Sequence, residues 1–198
     1  MIYSPTNFLC RRKRRAGFTL VEVMIGATIS TLILGGVLAA FLFLIRSGVR
    51  TSNYTIMETQ TRLAYEQLGI DSRMASGIQS NFTAGAITSF TLTIPNTTLT
   101  GTRTVTYVYD TSDPTDKKLV LVPGSNPAAA TGRRTLVNKI TDLTFLRYNS
   151  SSVLVPASTV SDAGVKHIQI TVTVSRSAQG VSVASLVIRS SAFTLRNI

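Results

Sequence analysis

Residues 11–45 read RRKRRAGFTLVEVMIGATISTLILGGVLAAFLFLI: five consecutive basic residues, Ala16, a glycine, and an apolar run from Phe18 to Ile45. The run holds 28 residues and a single charge, Glu22. As a helix rising about 1.5 Å per residue it spans roughly 42 Å, against a hydrocarbon core of about 30 Å. It is long enough to cross a bilayer, and the cluster Arg11, Arg12, Lys13, Arg14 and Arg15 places its N-terminal side in the cytoplasm. The expectation is a single-pass membrane protein with an exported C-terminal bulk.

A secretory signal peptide has a shorter apolar core followed by a small-residue cleavage site, which this stretch does not match. An uncleaved signal anchor accounts for length and charge bias but not for Glu22. A carboxylate inside an apolar span costs on the order of 2.5–3.5 kcal/mol, so such residues usually have a partner and a task. Snorkelling to the cytoplasmic headgroups is the other reading of Glu22. Gly26, Ala27, Ser30, Gly35, Gly36, Ala39 and Ala40 allow close approach to other helices, and Gly35-Gly36 is the expected place for a bend or local melting.

The segment Arg14-Arg15-Ala16-Gly17-Phe18-Thr19-Leu20-Val21-Glu22-Val23-Met24-Ile25 resembles the N-terminal signal of type IV prepilins and type II secretion pseudopilins. The resemblance covers about the first 45 residues. It implies a prepilin peptidase that cuts between Gly17 and Phe18 and N-methylates Phe18, leaving the 181 residues that follow Gly17. Glu22 is then the fifth residue of the product. The resemblance implies that it neutralises the new amine, in its own chain or a neighbour's, and sets axial register during assembly. It also implies other pilin or pseudopilin subunits and an inner-membrane assembly platform as partners, and a filament in the periplasm or at the cell surface as destination. The helix-first layout and the ending Phe193-Thr194-Leu195-Arg196-Asn197 are similar to the J-type minor pseudopilin and the W-type minor pilin.

Four segments are expected: a leader over 1–17, a membrane or filament-core helix over 18–45, its amphipathic continuation over 46–77, and a β-rich exported head over 78–198. In the continuation, Val49, Ile56, Leu63 and Ile70 recur every seven residues, with Met74 one turn on; this is a stripe of helical period. Glu58 and Arg62 are spaced for a surface pair, and Gly77 is the expected stop. Beyond it, period-two alternation marks half-buried strands at Phe90-Leu92-Ile94, at Val105-Tyr107-Tyr109 and at Leu143-Phe145, with Tyr148 following. It returns at Ile168-Ile170-Val172-Val174. Leu119–Val122 and residues 181–188 are apolar runs, the second reached from Val174 by a hairpin-length connection. The fold class is α+β: one long helix packed on an antiparallel sheet.

The whole-chain charge of +11 shrinks on dissection. Without the five basic residues of the leader, 15 basic and 9 acidic residues remain, a net of +6, which is weak grounds for an anionic partner. The only cysteine, Cys10, lies in the leader, so a processed product has neither disulfide nor thiol site. No cofactor is expected. His167 is the only histidine and lacks the companions of a triad or zinc site; it reads as an ordinary surface or edge-strand residue. Asp110, Asp113 and Asp116 lie three apart in DTSDPTD, a weak candidate for calcium without the EF-hand pattern. Arg133-Arg134 with Lys139 forms a small basic patch in an expected loop. No aromatic platform lies beside it, so nucleic acid is not an expected partner. No catalytic constellation appears. The function indicated is structural: a pilin-like subunit, initiating or tip-located rather than major. The alternatives are a DNA- or surface-binding head and a major filament subunit.

Overall fold

The computed structural model describes residues 17–83, 86–95, 101–157, 159, 161–177 and 185–195. The basic leader residues, Cys10, Arg196, Asn197, the end of the expected hairpin connection and the first four residues of the apolar run 181–188 lie outside them. The chain divides into two units, one ending at Ile45 and one running from Arg46 to Ile198.

Helix α1, Leu20–Met74, is a single element of 55 residues. No proline interrupts it, and it continues without melting through Gly35-Gly36 and through Ser47-Gly48. In the first unit every described residue is exposed. The helix ends one turn before Gly77. Arg73 Nε donates to the Gly69 carbonyl at 3.0 Å, a basic group at the end of the helix where carbonyls are unpaired. Ser76 N–H then donates to the Thr93 carbonyl at 2.7 Å, and Gly77 opens a strand instead of stopping the helix.

The head holds two antiparallel sheets where one was expected. The first contains β1 (Gly77–Thr83), β2 (Ala86–Pro95), β3 (Thr102–Asp110), β4 (Lys118–Pro123) and β5 (Arg134–Val137), paired in chain order as a meander. The second contains β6 (Ile140–Asn149), β7 (Leu154–Val155), β8 (Val165–Arg176) and β9 (Ser185–Thr194), in the order β7-β6-β8-β9. At Gly132, between β4 and β5, φ is +74° and a Cβ would stand 2.7 Å from Pro123 Cγ, so only glycine fits.

One contiguous core joins the second half of α1 to both sheets: Met57, Ala64 and Leu68 meet Phe90, Leu92, Tyr107 and Leu119 from one sheet and Phe145, Ile168, Ile170, Val172 and Val174 from the other. Phe90 stacks on Tyr107 at 5.2 Å and meets Phe145 edge-on at 5.1 Å, locking sheet to sheet. The alternation read in β2, β3 and β8, and at Leu143 and Phe145 in β6, therefore gives the inward faces correctly.

The helix stripe does not. Ile56, Leu63 (57 % exposed), Ile70 (50 %) and Met74 face outward. The buried face is Met57, Thr61, Ala64, Leu68, Gly69, Asp71 and Ser72. Small residues win there because they let the helix approach closely. A Cβ at Gly69 would stand 3.4 Å from the Phe193 ring, and the Thr61 hydroxyl is satisfied by the Met57 carbonyl at 2.8 Å. The ion pairs differ too: Arg62 pairs with Glu66 at 2.9 Å, and Glu58 pairs with Arg189 of β9.

Candidate functional site

The residues of the N-terminal signal that the structure describes form one local device. Thr19 is the N-cap of α1. Its side-chain oxygen accepts from Glu22 N–H at 3.3 Å, while Glu22 Oε2 accepts from the Thr19 backbone N–H and the Thr19 hydroxyl, each at 3.1 Å. This reciprocal arrangement is a capping box, Thr-x-x-Glu, which satisfies two otherwise unpaired donors at the helix start. It also puts a carboxylate at the positive end of the helix dipole. The capping box is written in the sequence as Thr19-Leu20-Val21-Glu22. Gly17 and Phe18 precede the helix and are exposed; Phe18 is 85 % exposed, and a Cβ at Gly17 would meet nothing within 4 Å. Glu22 thus lies one turn from Phe18, with its carboxylate turned back to Thr19.

The helix that follows is exposed along its first half among the described residues. Phe41, Leu42, Phe43, Leu44 and Ile45 are all exposed, and Cβ atoms placed at Gly26, Gly35 and Gly36 would meet nothing within 4 Å. Among the described residues none covers this apolar surface, which suits a helix surrounded by lipid or by other helices.

The head presents structural polar networks. Asp71, 1 % exposed on α1, accepts from Tyr107 Oη at 2.6 Å and from Gln67 at 3.2 Å, with Arg103 at 3.4 Å. Burial and the neighbouring carboxylate push the Tyr107 phenol far above its ordinary range. Tyr65 Oη donates to the Arg189 carbonyl at 2.8 Å, with the Ile170 carbonyl 3.0 Å away; burial raises its phenol as well. These two tyrosines tie α1 to one sheet each. Arg147, 1 % exposed on β6, meets Asp162 at 2.5 Å and the carbonyls of Pro156 and Thr159 at 2.9 and 2.8 Å. Asp162 also accepts from Ser80 N and Oγ of β1, so one carboxylate bridges the two sheets. Period two from Leu143 and Phe145 pointed to Arg147, not Tyr148, as the next inward residue. Tyr148 instead faces outward and donates to Gln169 Oε1 at 2.7 Å.

The weaker sequence candidates lie together. Asp110 accepts from Ser112 and pairs with Arg133 at 3.0 Å; Asp113 is held by Thr115; Asp116 accepts from the Lys139 backbone N–H at 3.1 Å and pairs with Lys118 at 3.2 Å. Lys139 adopts φ 58°, a conformation unfavourable for a side-chain-bearing residue, braced by that Asp116 bond. Each aspartate is engaged separately, and among the described residues no group of three or more His, Cys, Asp or Glu is placed to hold a metal ion. Arg134 opens β5 rather than lying in a loop. His167 lies on β8, interior to its sheet, with Nδ1 3.1 Å from Thr194 Oγ1.

The prokaryotic N-terminal methylation motif matches residues 12–38. No curated protein matches the chain. The matched residues contain Gly17, Phe18, the capping box and the first 21 of the 28 residues of the apolar run. The motif is consistent with a type IV prepilin or pseudopilin and supports a pilin-like subunit; that motif family is structural rather than enzymatic. It implies assembly with other pilin subunits and processing by prepilin peptidase, and with the apolar helix it supports a membrane-anchored, single-pass protein.

Proposed function

We propose that this motif-bearing chain is a minor, filament-initiating or tip subunit of a type IV pilus or type II secretion pseudopilus. Residues 1–17 are its leader, 18–45 its membrane and filament-core helix, 46–77 the continuation, and 78–198 an exported head. Prepilin peptidase cuts between Gly17 and Phe18 and methylates the new amine. Glu22 then serves as counter-charge to that amine, and the inner-membrane assembly platform lifts the subunit into the filament.

The observation that carries this reading is the position of Glu22. It is the single charge in a 28-residue apolar run, and its carboxylate is held back toward Thr19, the residue after the proposed new terminus. A methylated ammonium at Phe18 would be costly unpaired in lipid. A carboxylate already oriented toward it loses little further freedom on pairing, and such a pair specifies register more than it adds stability. The outward stripe Ile56, Leu63, Ile70 and Met74 supports contacts with other subunits along the helix. The test is filament incorporation: in cells carrying the cognate assembly genes, the chain enters the sheared filament fraction only when the peptidase is active. Equal recovery without peptidase would refute the proposal.

A further inference from the structure

The second unit begins at Arg46, the residue directly after the apolar run, so the end of the head that carries Arg46 is the end next to the bilayer by connectivity alone. Arg46, Arg50 and Asn53 are spaced i, i+4 and i+7 and share one face of α1. Asn53 lines a cleft of about 350 Å³ with Thr115, Lys139, Ser175, Arg176 and Ser177. Three segments are stitched together there: Lys139 N–H to Asp116, Ser175 N–H to the Lys139 carbonyl at 3.1 Å, and Ile140 N–H to the Lys117 carbonyl at 3.0 Å. The turn between β3 and β4, the link between β5 and β6, and the end of β8 therefore form one surface beside the start of the second unit.

That surface is unbalanced in charge. It carries Lys117, Lys118, Lys139 and Arg176, with Arg46 and Arg50 on the helix face that Asn53 shares, against Asp113, Asp116 and Asp110, the cross-strand neighbour of Lys118 that pairs with Arg133. Asp116 is taken by Lys118 and Lys139, and Asp113 by Thr115. Glu58, the next acid along the helix, is taken by Arg189. Among the described residues, which include all nine acids, Arg46, Arg50, Lys117 and Arg176 enter no ion pair.

We propose that this basic surface is a docking site for the anionic phospholipid headgroups of the leaflet into which α1 leads, holding the head against the membrane before the subunit is extracted. Several cations near a negatively charged membrane act cumulatively. The absence of an aromatic stacking platform in the cleft disfavours single-stranded nucleic acid. The inference rests on membrane anchoring alone and not on cleavage or filament assembly.

The test uses the full chain with Cys10→Ser and Ser177→Cys, fluorescently labelled at position 177 and reconstituted into nanodiscs containing a nitroxide-headgroup lipid. Quenching is expected in phosphatidylcholine discs with about one-third phosphatidylglycerol and not in phosphatidylcholine alone. Raising salt from about 0.1 to 1 M, which shortens the screening length from about 10 to 3 Å, should abolish it. Arg46→Gln with Arg50→Gln and Lys117→Gln lowers the docked-to-undocked ratio by roughly fivefold per cation, Arg46→Lys with Arg50→Lys retains docking, and Arg134→Gln, a cation elsewhere, leaves it unchanged. Equal quenching in neutral and anionic discs, or no response to the triple variant, would overturn the proposal. Retention of a DNA duplex by the protein in neutral discs would assign these cations to nucleic acid instead. Because no peptidase or filament takes part, failure here leaves the filament reading standing, and failure of processing leaves this one standing.

Discussion

Glu22 can act through its shape, as an acceptor for Thr19, or through its charge, as partner to an amine at Phe18, and substitution separates the two. Gln at the third helical position still completes a capping box but carries no charge. Glu22→Ala and Glu22→Gln should both leave cleavage intact, and Gln should keep the helix start ordered. Both should impair filament incorporation, scored by immunoblot of the sheared fraction; normal assembly of the Gln variant would reduce Glu22 to a cap. Thr19→Ala removes the cap alone, at about 0.5–2 kcal/mol of local helix stability. Two titrations also belong to individual residues. The Tyr65 and Tyr107 phenols are raised above 10.0, chiefly by burial. Their stabilising contribution is complete below pH 10 and fades as pH rises through the folded values. Absorbance at alkaline pH should show these phenolates appearing only as the head unfolds. Asp110 and Asp113 run the other way. Hydrogen bonds from Ser112 and Thr115 lower their carboxyls below 3.8, so what they contribute is present above that value and lost as pH falls below it.

The face that α1 turns to the head is decided by fit rather than by size of the apolar side chains. Leu68 is fully buried, and Leu68→Ala should cost about 2–5 kcal/mol. Leu63→Gln or Ile70→Gln should stay within about 0.5 kcal/mol. Thermal denaturation distinguishes the two, and a reversed order would restore the stripe read from sequence. That stripe misled because heptad spacing of large residues marks a surface that wants cover without saying who supplies it. Thr61, Ala64, Gly69 and Ser72 carried the closer packing and gave no hydropathy signal. The strands were legible because their inward residues are apolar and alternate. They became illegible where the alternation passed through Arg147, whose charge hides an inward position until Asp162 and two carbonyls are seen around it. The short strands β5 and β7 are too brief to show a period at all. The capping box was legible in principle, since its two side chains lie three apart in sequence.

Over the whole molecule, polar residues do the joining that the missing disulfide would otherwise do. Asp71 and Tyr65 anchor the second half of α1 to one sheet each, and Asp162 links β6 to β1 through Arg147 and Ser80. Losing one member of a buried pair leaves its partner uncompensated. Arg147→Ala should cost about 3–5 kcal/mol by chemical denaturation, and Tyr107→Phe about 1–3 kcal/mol through the donor lost to Asp71. These ties brace the head, while the chain's start carries the motif and an apolar surface that is exposed among the described residues. The most direct measurement is therefore the intact mass and N-terminal fragment spectrum of the chain recovered from membranes of cells with active prepilin peptidase. The account predicts a 181-residue product beginning with N-methylated Phe18; a chain that keeps Met1, or one cut elsewhere, would contradict it.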